Sequence, residues 1–221
     1  MAGEFAEIHA RSLRDPESFW GEIAHAIDWT RPWERVLDAS NKPSYRWFTG
    51  GRLNTCHNAL DRHVAAGRGD QAALIYDSPV TGLVRRITYR ELLDQVARFA
   101  GVLEGLGVGA GDRVILYMPM VPEAVVAMLA CARLGAVHSV VFGGFAPLEL
   151  AKRIDDAAPK VLLTASCGIE GARTIAYKPM VDEALALATH RVEHVVVHQR
   201  ERLAADLSGP LDRDWAALRA A

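Results

Sequence analysis

The sequence predicts an α/β fold in which a mostly parallel sheet is flanked by helices on both faces, preceded by a helical, loop-rich N-terminal extension. From residue 114 onward, short apolar runs alternate with helical patterns of roughly ten residues. The apolar runs are continuous, as in strands buried on both faces and joined by right-handed β-α-β connections. With half of its 221 residues hydrophobic, the chain can bury a sizeable core.

The extension is predicted over residues 1–70, where prolines and glycines repeatedly interrupt the periodicity. A short helix is expected after Asp15, because Pro16 suits the first helical position. A second helix is expected over 54–65, where apolar residues recur at helical spacing. We expect this extension to wrap against a larger body, and residues 71–221 to form an α/β domain.

A hairpin and a long helix are predicted next. The hairpin strands are 73–76 and 86–88. Thr88 and Glu91 have the spacing of a capping box, which predicts that the helix begins there. It should end at Gly105 or Gly107. Apolar side chains at helical spacing line one face of it: Leu92, Val96, Phe99 and Leu103.

The alternating part of the domain follows. The predicted strands are 114–118, 137–142, 161–164 and 194–197. The predicted helices are 122–134, 147–158 and 179–189. The tail after Arg200 is polar, and no element is predicted in it. The tail also lacks a terminating signal.

Ligands of open parallel sheets bind outside the carboxyl ends of the strands, where loops 118–120, 143–146 and 165–173 are predicted. Gly143 and Gly144 allow close approach of the backbone, and the following helix directs unpaired amides toward an anionic or carbonyl group. A tight turn that needs glycine for its geometry is the alternative.

The third of these loops ends in residues 168–173, with Lys178 close behind. A guanidinium beside flexible glycines makes Arg173 a candidate phosphate contact. A solvated surface arginine is the alternative.

Two other patterns in the sequence resemble binding motifs, but neither is assigned to a binding site. Residues 105–110 match a dinucleotide-binding pattern, but they follow a helix and precede a strand, so the amides face the wrong way. His190, His194 and His198 recur every four residues, but the predicted strand breaks a helical register. No metal site is therefore predicted.

Composition excludes several classes. The net charge is −2, so no overall basic footprint for nucleic acid is present. No apolar run approaches the ~20 residues that span a bilayer, and three cysteines are too few and scattered for a disulfide framework. We expect a cytoplasmic protein that binds neither nucleic acid nor membrane.

Eight motifs then stand in one order: WFTGGRLN (47–54), NALDRH (58–63), TYREL (88–92), GDRV (111–114), YMPM (117–120), ACARLGAVHS (130–139), FGGF (142–145) and RIDD (153–156). As a set they resemble the AMP-forming short-chain acyl-CoA synthetases, the acetyl- and propionyl-CoA ligases of the adenylate-forming superfamily. Residues 71–221 would then be an incomplete AMP-binding domain. Two segments, the Cys56-His57-Asn58 step and the loop 170–173, look more like the propionyl branch than the acetyl branch, which often has an arginine where Glu170 stands.

The resemblance implies a reaction and a site. Such enzymes use ATP, with Mg²⁺, to convert a short-chain carboxylate into an acyl-adenylate, and then transfer the acyl group to coenzyme A. The implied coenzyme A contacts are Glu170, Gly171, Ala172 and Arg173, with Arg173 on the 3′-phosphate, and Gly143 and Gly144 near the pantetheine passage.

The resemblance also implies what this chain lacks. Family members are considerably longer, and the Ser/Thr/Gly loop ending in Lys that grips ATP is absent. We therefore expect an N-terminal segment with no catalytic residue of its own, with no cofactor tightly bound and with no activity alone. A non-catalytic module that binds coenzyme A or a protein is the alternative. A severed sheet should also expose apolar surface and promote self-association.

Overall fold

The computed structural model describes residues 2–220. The chain divides into two compact units between Asn58 and Ala59. The predicted domain division at residue 70 stays a prediction. Within the described residues, no helix is long and apolar enough to cross a membrane.

The first unit contains two helices and a two-stranded antiparallel sheet. Its elements are α1 (Ala2–Arg14), α2 (Pro16–Ala24), β1 (Arg35–Asp38) and β2 (Arg46–Thr49). The helix expected after Asp15 is confirmed, and the Asp15 carboxylate caps it by accepting a hydrogen bond from the Ser18 amide at 3.1 Å. The rings of Trp29, Trp33 and Phe48 pack together with centroids 5.0–5.4 Å apart.

The helix expected over 54–65 forms with an unexpected geometry. Two π-helical segments, His57–Asp61 and Val64–Arg68, make up most of it. Gly67 has a φ of +78° inside the second segment, which a regular helix does not allow. The spacing of apolar residues predicts a helix, but it does not distinguish an α-helix from a π-helix.

The second unit begins with the predicted hairpin and helix. Strands β3 (Ala72–Ser78) and β4 (Leu83–Thr88) pair antiparallel, and α3 (Tyr89–Gly105) follows. The capping box is confirmed, because the Glu91 amide donates to Thr88 Oγ1 at 3.2 Å and the Thr88 amide donates to Glu91 Oε2 at 2.7 Å. The four apolar residues predicted for the core face of α3 are buried.

A five-stranded parallel sheet forms the centre of this unit in the described part of the chain. Its strands are β5 (Arg113–Met118), β6 (Val137–Phe142), β7 (Val161–Ala165), β10 (His194–His198) and β11 (Asp212–Asp214), in the order β11-β10-β7-β5-β6. The helices are α4 (Pro122–Leu134), α5 (Pro147–Ala157), α6 (Lys178–Leu187) and α7 (Trp215–Ala220). The first four strands are those predicted from sequence. β11 and α7 fall in the polar tail where no element was predicted.

Helices cover both faces of this sheet, as the sequence predicts. Ile115 and Tyr117 of β5 pack in one cluster with buried residues of α5 and α6, among them Leu150 and Val181. Alternate residues of the strand point to the other face, where α4 contacts β5 and β6 and where α3 and α7 pack. There, Phe99 stacks on Trp215 with ring centroids 3.7 Å apart.

The segment predicted as a loop over 165–173 contains most of a second hairpin, so that prediction was wrong. Strand β8 (Cys167–Glu170) pairs antiparallel with β9 (Arg173–Ala176). Gly171, at a φ of +57°, turns the chain between them. Gly168 inside β8 and Gly171 at the turn are typical loop residues, so the sequence favours a loop over this segment.

Candidate functional site

The strand order creates a crevice at the carboxyl end of the sheet. From β5 the chain crosses through α4 to β6 on one side, whereas from β7 it continues through α6 to β10 on the other side. Such a reversal between neighbouring strands is where open α/β sheets bind ligands. The double-glycine bend (Gly143-Gly144) follows β6, and the β8–β9 hairpin follows β7. Both candidate loops therefore lie at the carboxyl end of the sheet.

The double-glycine bend is held by a tyrosine of β5. The hydroxyl of Tyr117 accepts a hydrogen bond from the Gly144 amide at 3.0 Å and donates one to the Phe145 carbonyl at 2.8 Å. Gly144 has a φ of +105°, a conformation that residues with a side chain rarely adopt. Glycine is therefore required here for the backbone conformation, whatever the bend also binds.

The tip of the hairpin lies beside this bend. A Cβ placed on Gly144 would be 3.4 Å from Oε1 of Glu170. Glu170 in turn pairs across the hairpin with Arg173, with 3.7 Å between Oε2 and Nη2. Gly171 and Ala172 form the turn between them. The structure thus brings together all six residues that the sequence analysis assigned to the coenzyme A site.

The guanidinium of Arg173 is available to a ligand. Its side chain is 77% exposed and that of Glu170 is 52% exposed, so their ion pair gains little energy in water. A second guanidinium, that of Arg153, lies over the ring of Phe145 next to the bend, with Cζ 5.3 Å from the ring centre, and is paired with Glu149 at 3.2 Å. The arrangement can bind an anionic group at the hairpin tip, in competition with the Glu170 carboxylate.

Lys178 does not belong to this site. Its side chain is 9% exposed, and its Nζ lies 2.6 Å from Asp182 Oδ1 and 2.9 Å from Asp212 Oδ2. Burial by itself would lower the pKa of the Lys178 ammonium, but hydrogen bonds and charge from the two carboxylates outweigh burial and raise it. Lys178 thus joins α6 to β11, and its ammonium group is engaged by these two carboxylates.

Two tyrosines of this region were not identified from the sequence. Tyr117 supports the bend, and Tyr177 packs against Gly143, where an added Cβ would lie 2.7 Å from its hydroxyl. Burial, then the neighbouring Tyr117 and Glu170, raise the pKa of Tyr177 to about 12, so it stays neutral at physiological pH. Aromatic residues are common at the ends of strands and helices, so these tyrosines carry no special signal in the sequence. The contact between Tyr177 and Gly143 is formed only in the folded chain.

The dinucleotide-like pattern lies at the amino end of the sheet, away from the crevice. Gly107 and Gly109 form the turn between α3 and β5, where the Gly109 amide donates to Asp112 Oδ2 at 2.8 Å. His194 and His198 lie on β10, and His190 Nε2 is 2.9 Å from the Pro159 carbonyl oxygen. Across residues 2–220, no group of three or more His, Cys, Asp or Glu side chains is placed to hold a metal ion.

Comparison with known protein families gives two matches. Residues 61–217 match the model of the AMP-binding enzyme family, and residues 5–59 match the model of the acetyl-coenzyme A synthetase N-terminus. Together these matches account for nearly the whole chain.

Several individual proteins are similar over a comparable span. Acyl-CoA synthetase short-chain family member 3, mitochondrial, of Mus musculus is 49% identical over 96% of this chain and 31% of its own length. Propionate–CoA ligase of Escherichia coli K12 is 46% identical over 97% of this chain and 34% of its own length. The solved structure of acetoacetyl-CoA synthetase from Streptomyces lividans superposes with a TM-score of 0.86 at 31% identity, covering 96% of this chain and 32% of that chain. The chain spans about a third of the length of these relatives.

Proposed function

The chain belongs to the AMP-binding enzyme family, and from this premise we propose that it supplies the coenzyme A contacts of a short-chain acyl-CoA synthetase. The bend and the hairpin tip, Glu170 through Arg173 with Gly143-Gly144, hold the nucleotide and the start of the pantetheine arm. The observation that carries this proposal is the proximity of Glu170 to Gly144. Because Arg173 is paired with Glu170, its guanidinium group also lies near the backbone turn of the bend.

The proposed reaction of the whole protein has two steps. A carboxylate oxygen of a short-chain acid attacks the α-phosphorus of ATP, the bond to the bridging oxygen breaks, and pyrophosphate leaves. The thiolate of coenzyme A then attacks the acyl carbonyl carbon, and AMP leaves with the bonding electron pair. The residues in this chain contribute binding and orientation of coenzyme A to the second step.

Propionate, or another short-chain acid, is the proposed carboxylate. The names of the relatives include a propionate–CoA ligase and an acetyl-coenzyme A synthetase, and Glu170 resembles the propionyl branch. Mg²⁺ is proposed to arrive as the counter-ion of the ATP phosphates, since the described residues offer no metal-ligand cluster of their own. A cytoplasmic location is proposed as well, although the similar mouse protein is named as mitochondrial.

Titration of coenzyme A into the 221-residue chain and into Arg173→Ala tests the proposal. A charge-assisted contact to the 3′-phosphate predicts an affinity loss of about tenfold or more in the variant. With 3′-dephospho-coenzyme A, the two proteins should bind equally. Arg98→Ala is the matched control, because Arg98 lies on α3 in a surface ion pair with Asp94. Equal coenzyme A binding by all three proteins would remove Arg173 from the site.

The purified 221-residue chain also tests the expectation that it does not form an acyl-adenylate by itself. We expect no pyrophosphate release from ATP and propionate, because the Ser/Thr/Gly loop that stabilises charge on the transferring phosphoryl group is not in this sequence. Pyrophosphate release by the chain would contradict this expectation. Binding of coenzyme A without adenylation by any longer form of the protein would favour a binding module instead.

A further inference from the structure

The ring of Tyr177 fills the space that two glycines leave open. Tyr177 is 3% exposed and lies immediately before α6. A Cβ added to Gly143 would lie 2.7 Å from its Cε2 and hydroxyl, and a Cβ added to Gly168 would lie 2.5 Å from its Cζ and closer still to its hydroxyl. Real Cβ atoms essentially never come within 3.0 Å of another heavy atom in this way. The ring therefore excludes a side chain at both positions, and at Gly143 the Met118 carbonyl oxygen, 3.0 Å from the added Cβ, crowds it as well.

These two glycines come from different loops. Gly143 belongs to the double-glycine bend, and Gly168 belongs to strand β8 of the hairpin. The ring of Tyr177 is thus a spacer between the two loops. Without it, Gly143 and Gly168 would face a cavity, and neither has a side chain to fill it.

Two contacts hold Tyr177 in place, and a third contact holds the hairpin strand beside it. The amide of Tyr177 donates to the Ser166 carbonyl at 3.1 Å, which anchors it to the residue before the hairpin. Its ring centroid is 5.1 Å from that of Tyr117, whose hydroxyl holds the Gly144 amide. Arg200 Nη1 donates to the Cys167 carbonyl at 3.0 Å and holds the base of β8. The ring therefore lies between the residue that supports the bend and the strand that begins the hairpin.

We propose that Tyr177 is a positioning residue that sets the separation between the double-glycine bend and the β8–β9 hairpin, so that one coenzyme A molecule contacts both loops at once. This inference rests on the proposed function. The positioning role depends on the volume of the aromatic ring and not on the hydroxyl group. Tyr177→Phe keeps the ring and should therefore behave like the wild type. Tyr177→Leu lacks the ring atoms that face the two glycines and should lose the positioning role.

A melting experiment tests the spacer without any ligand. Gly168→Ala should lower the melting temperature by several degrees, because its new Cβ overlaps the ring. In the Tyr177→Leu background the same substitution should cost much less, since the overlapping atoms are gone. Such non-additivity is the signature of direct contact. Additive shifts would show that the ring and the hairpin do not constrain each other, and would overturn the inference.

A binding experiment tests the positioning role. The measured quantity is the ratio of the dissociation constant for 3′-dephospho-coenzyme A to that for coenzyme A. We expect a wild-type ratio of about ten or more, a similar ratio for Tyr177→Phe, and a ratio that falls toward one for Tyr177→Leu, because the bend and Arg173 no longer engage one ligand together. Phe99→Leu is the matched control: it truncates a fully buried ring on the opposite face of the sheet and should lower stability but keep the ratio.

The outcomes separate this inference from the proposed function. A wild-type ratio near one would overturn the proposed function, and the positioning role with it. A high wild-type ratio that persists in folded Tyr177→Leu would leave the proposed function standing and overturn the inference. If Tyr177→Leu does not fold, Tyr177→Met, whose unbranched and flexible side chain adapts more readily to an irregular gap, replaces it in the same comparison.

Discussion

Glu170 and Arg173 oppose each other at the tip of the β8–β9 hairpin and form an exposed ion pair. Such a pair is weak because both groups are well hydrated. A phosphate dianion offers Arg173 a stronger, bidentate partner, so ligand binding would break the pair. Glu170 then still lines the proposed coenzyme A site, but its negative charge is unfavourable beside a bound phosphate.

Replacing Glu170 by Gln should therefore strengthen coenzyme A binding. Removing one exposed charge at this range predicts a gain of about two- to fivefold, measured by calorimetric titration at low salt. The gain should shrink as ionic strength rises, because salt screens exposed charges. Weaker binding by Glu170→Gln would mean that the carboxylate accepts a hydrogen bond from the ligand.

Much of this site could be predicted from residue types. Gly143-Gly144 and Arg173 lie at strand ends, where open parallel sheets bind ligands. The family resemblance identifies coenzyme A as the proposed ligand. Tyr177 could not be predicted, because its role depends on Gly143 and Gly168, which are distant along the chain. Lys178 follows the hairpin closely in the sequence, but its side chain is buried and paired with Asp182 and Asp212, and Asp212 lies on a strand that the sequence did not reveal.

Elements with a strong periodic pattern and clear end signals were predicted well. Helix α4 (Pro122–Leu134) and strand β6 (Val137–Phe142) have the predicted bounds, since Pro122 and the left-handed Gly135 delimit the helix. Strand β11 was missed because its three residues, Asp-Arg-Asp, pair through their backbone alone. Helix α1 was missed because its few large apolar residues, among them Phe5 and Leu13, are separated by charged and polar residues in the sequence.

The capping box of α3 gives a prediction at this scale. Thr88→Ala should cost about 1 kcal/mol of unfolding free energy, because an amide at the helix start loses its partner. Hydrogen bonds from the Thr88 amide and hydroxyl lower the pKa of Glu91 below its usual 4.5. The Glu91 contribution is therefore fully present above pH 4.5 and is lost as the pH falls through the lowered pKa.

Urea unfolding of wild type, Thr88→Ala and Glu91→Gln at neutral and acidic pH measures both effects. Glu104→Gln, at the opposite end of the same helix, is the control and should show no comparable change. A Glu91→Gln penalty that grew on acidification would contradict the assignment of the lowered pKa to this box.

At the scale of the whole molecule, the sheet ends in an apolar edge. Strand β6 pairs with β5 on one side, and no strand within residues 2–220 pairs with its other side. Val137, Val140 and Phe142 on this strand are more than half exposed. An edge of this kind offers unpaired backbone groups and apolar side chains to another chain.

Self-association through this edge stays a prediction, and sedimentation velocity tests it. The average mass should rise with protein concentration, and Val140→Lys should suppress the rise by placing a charge on the edge. Ile75→Lys, which alters an equally exposed apolar residue of β3, should leave the association unchanged. Monomeric wild type over the accessible concentration range would rule the prediction out.

The central claim is that the double-glycine bend and the hairpin tip form one coenzyme A site. Amide hydrogen exchange with and without coenzyme A tests it most directly, because each loop reports separately. We expect saturating coenzyme A to slow exchange at residues 143–145 and at residues 170–173 together, while α7 is unaffected. Slowing at one loop without the other, or at neither loop, would contradict the account.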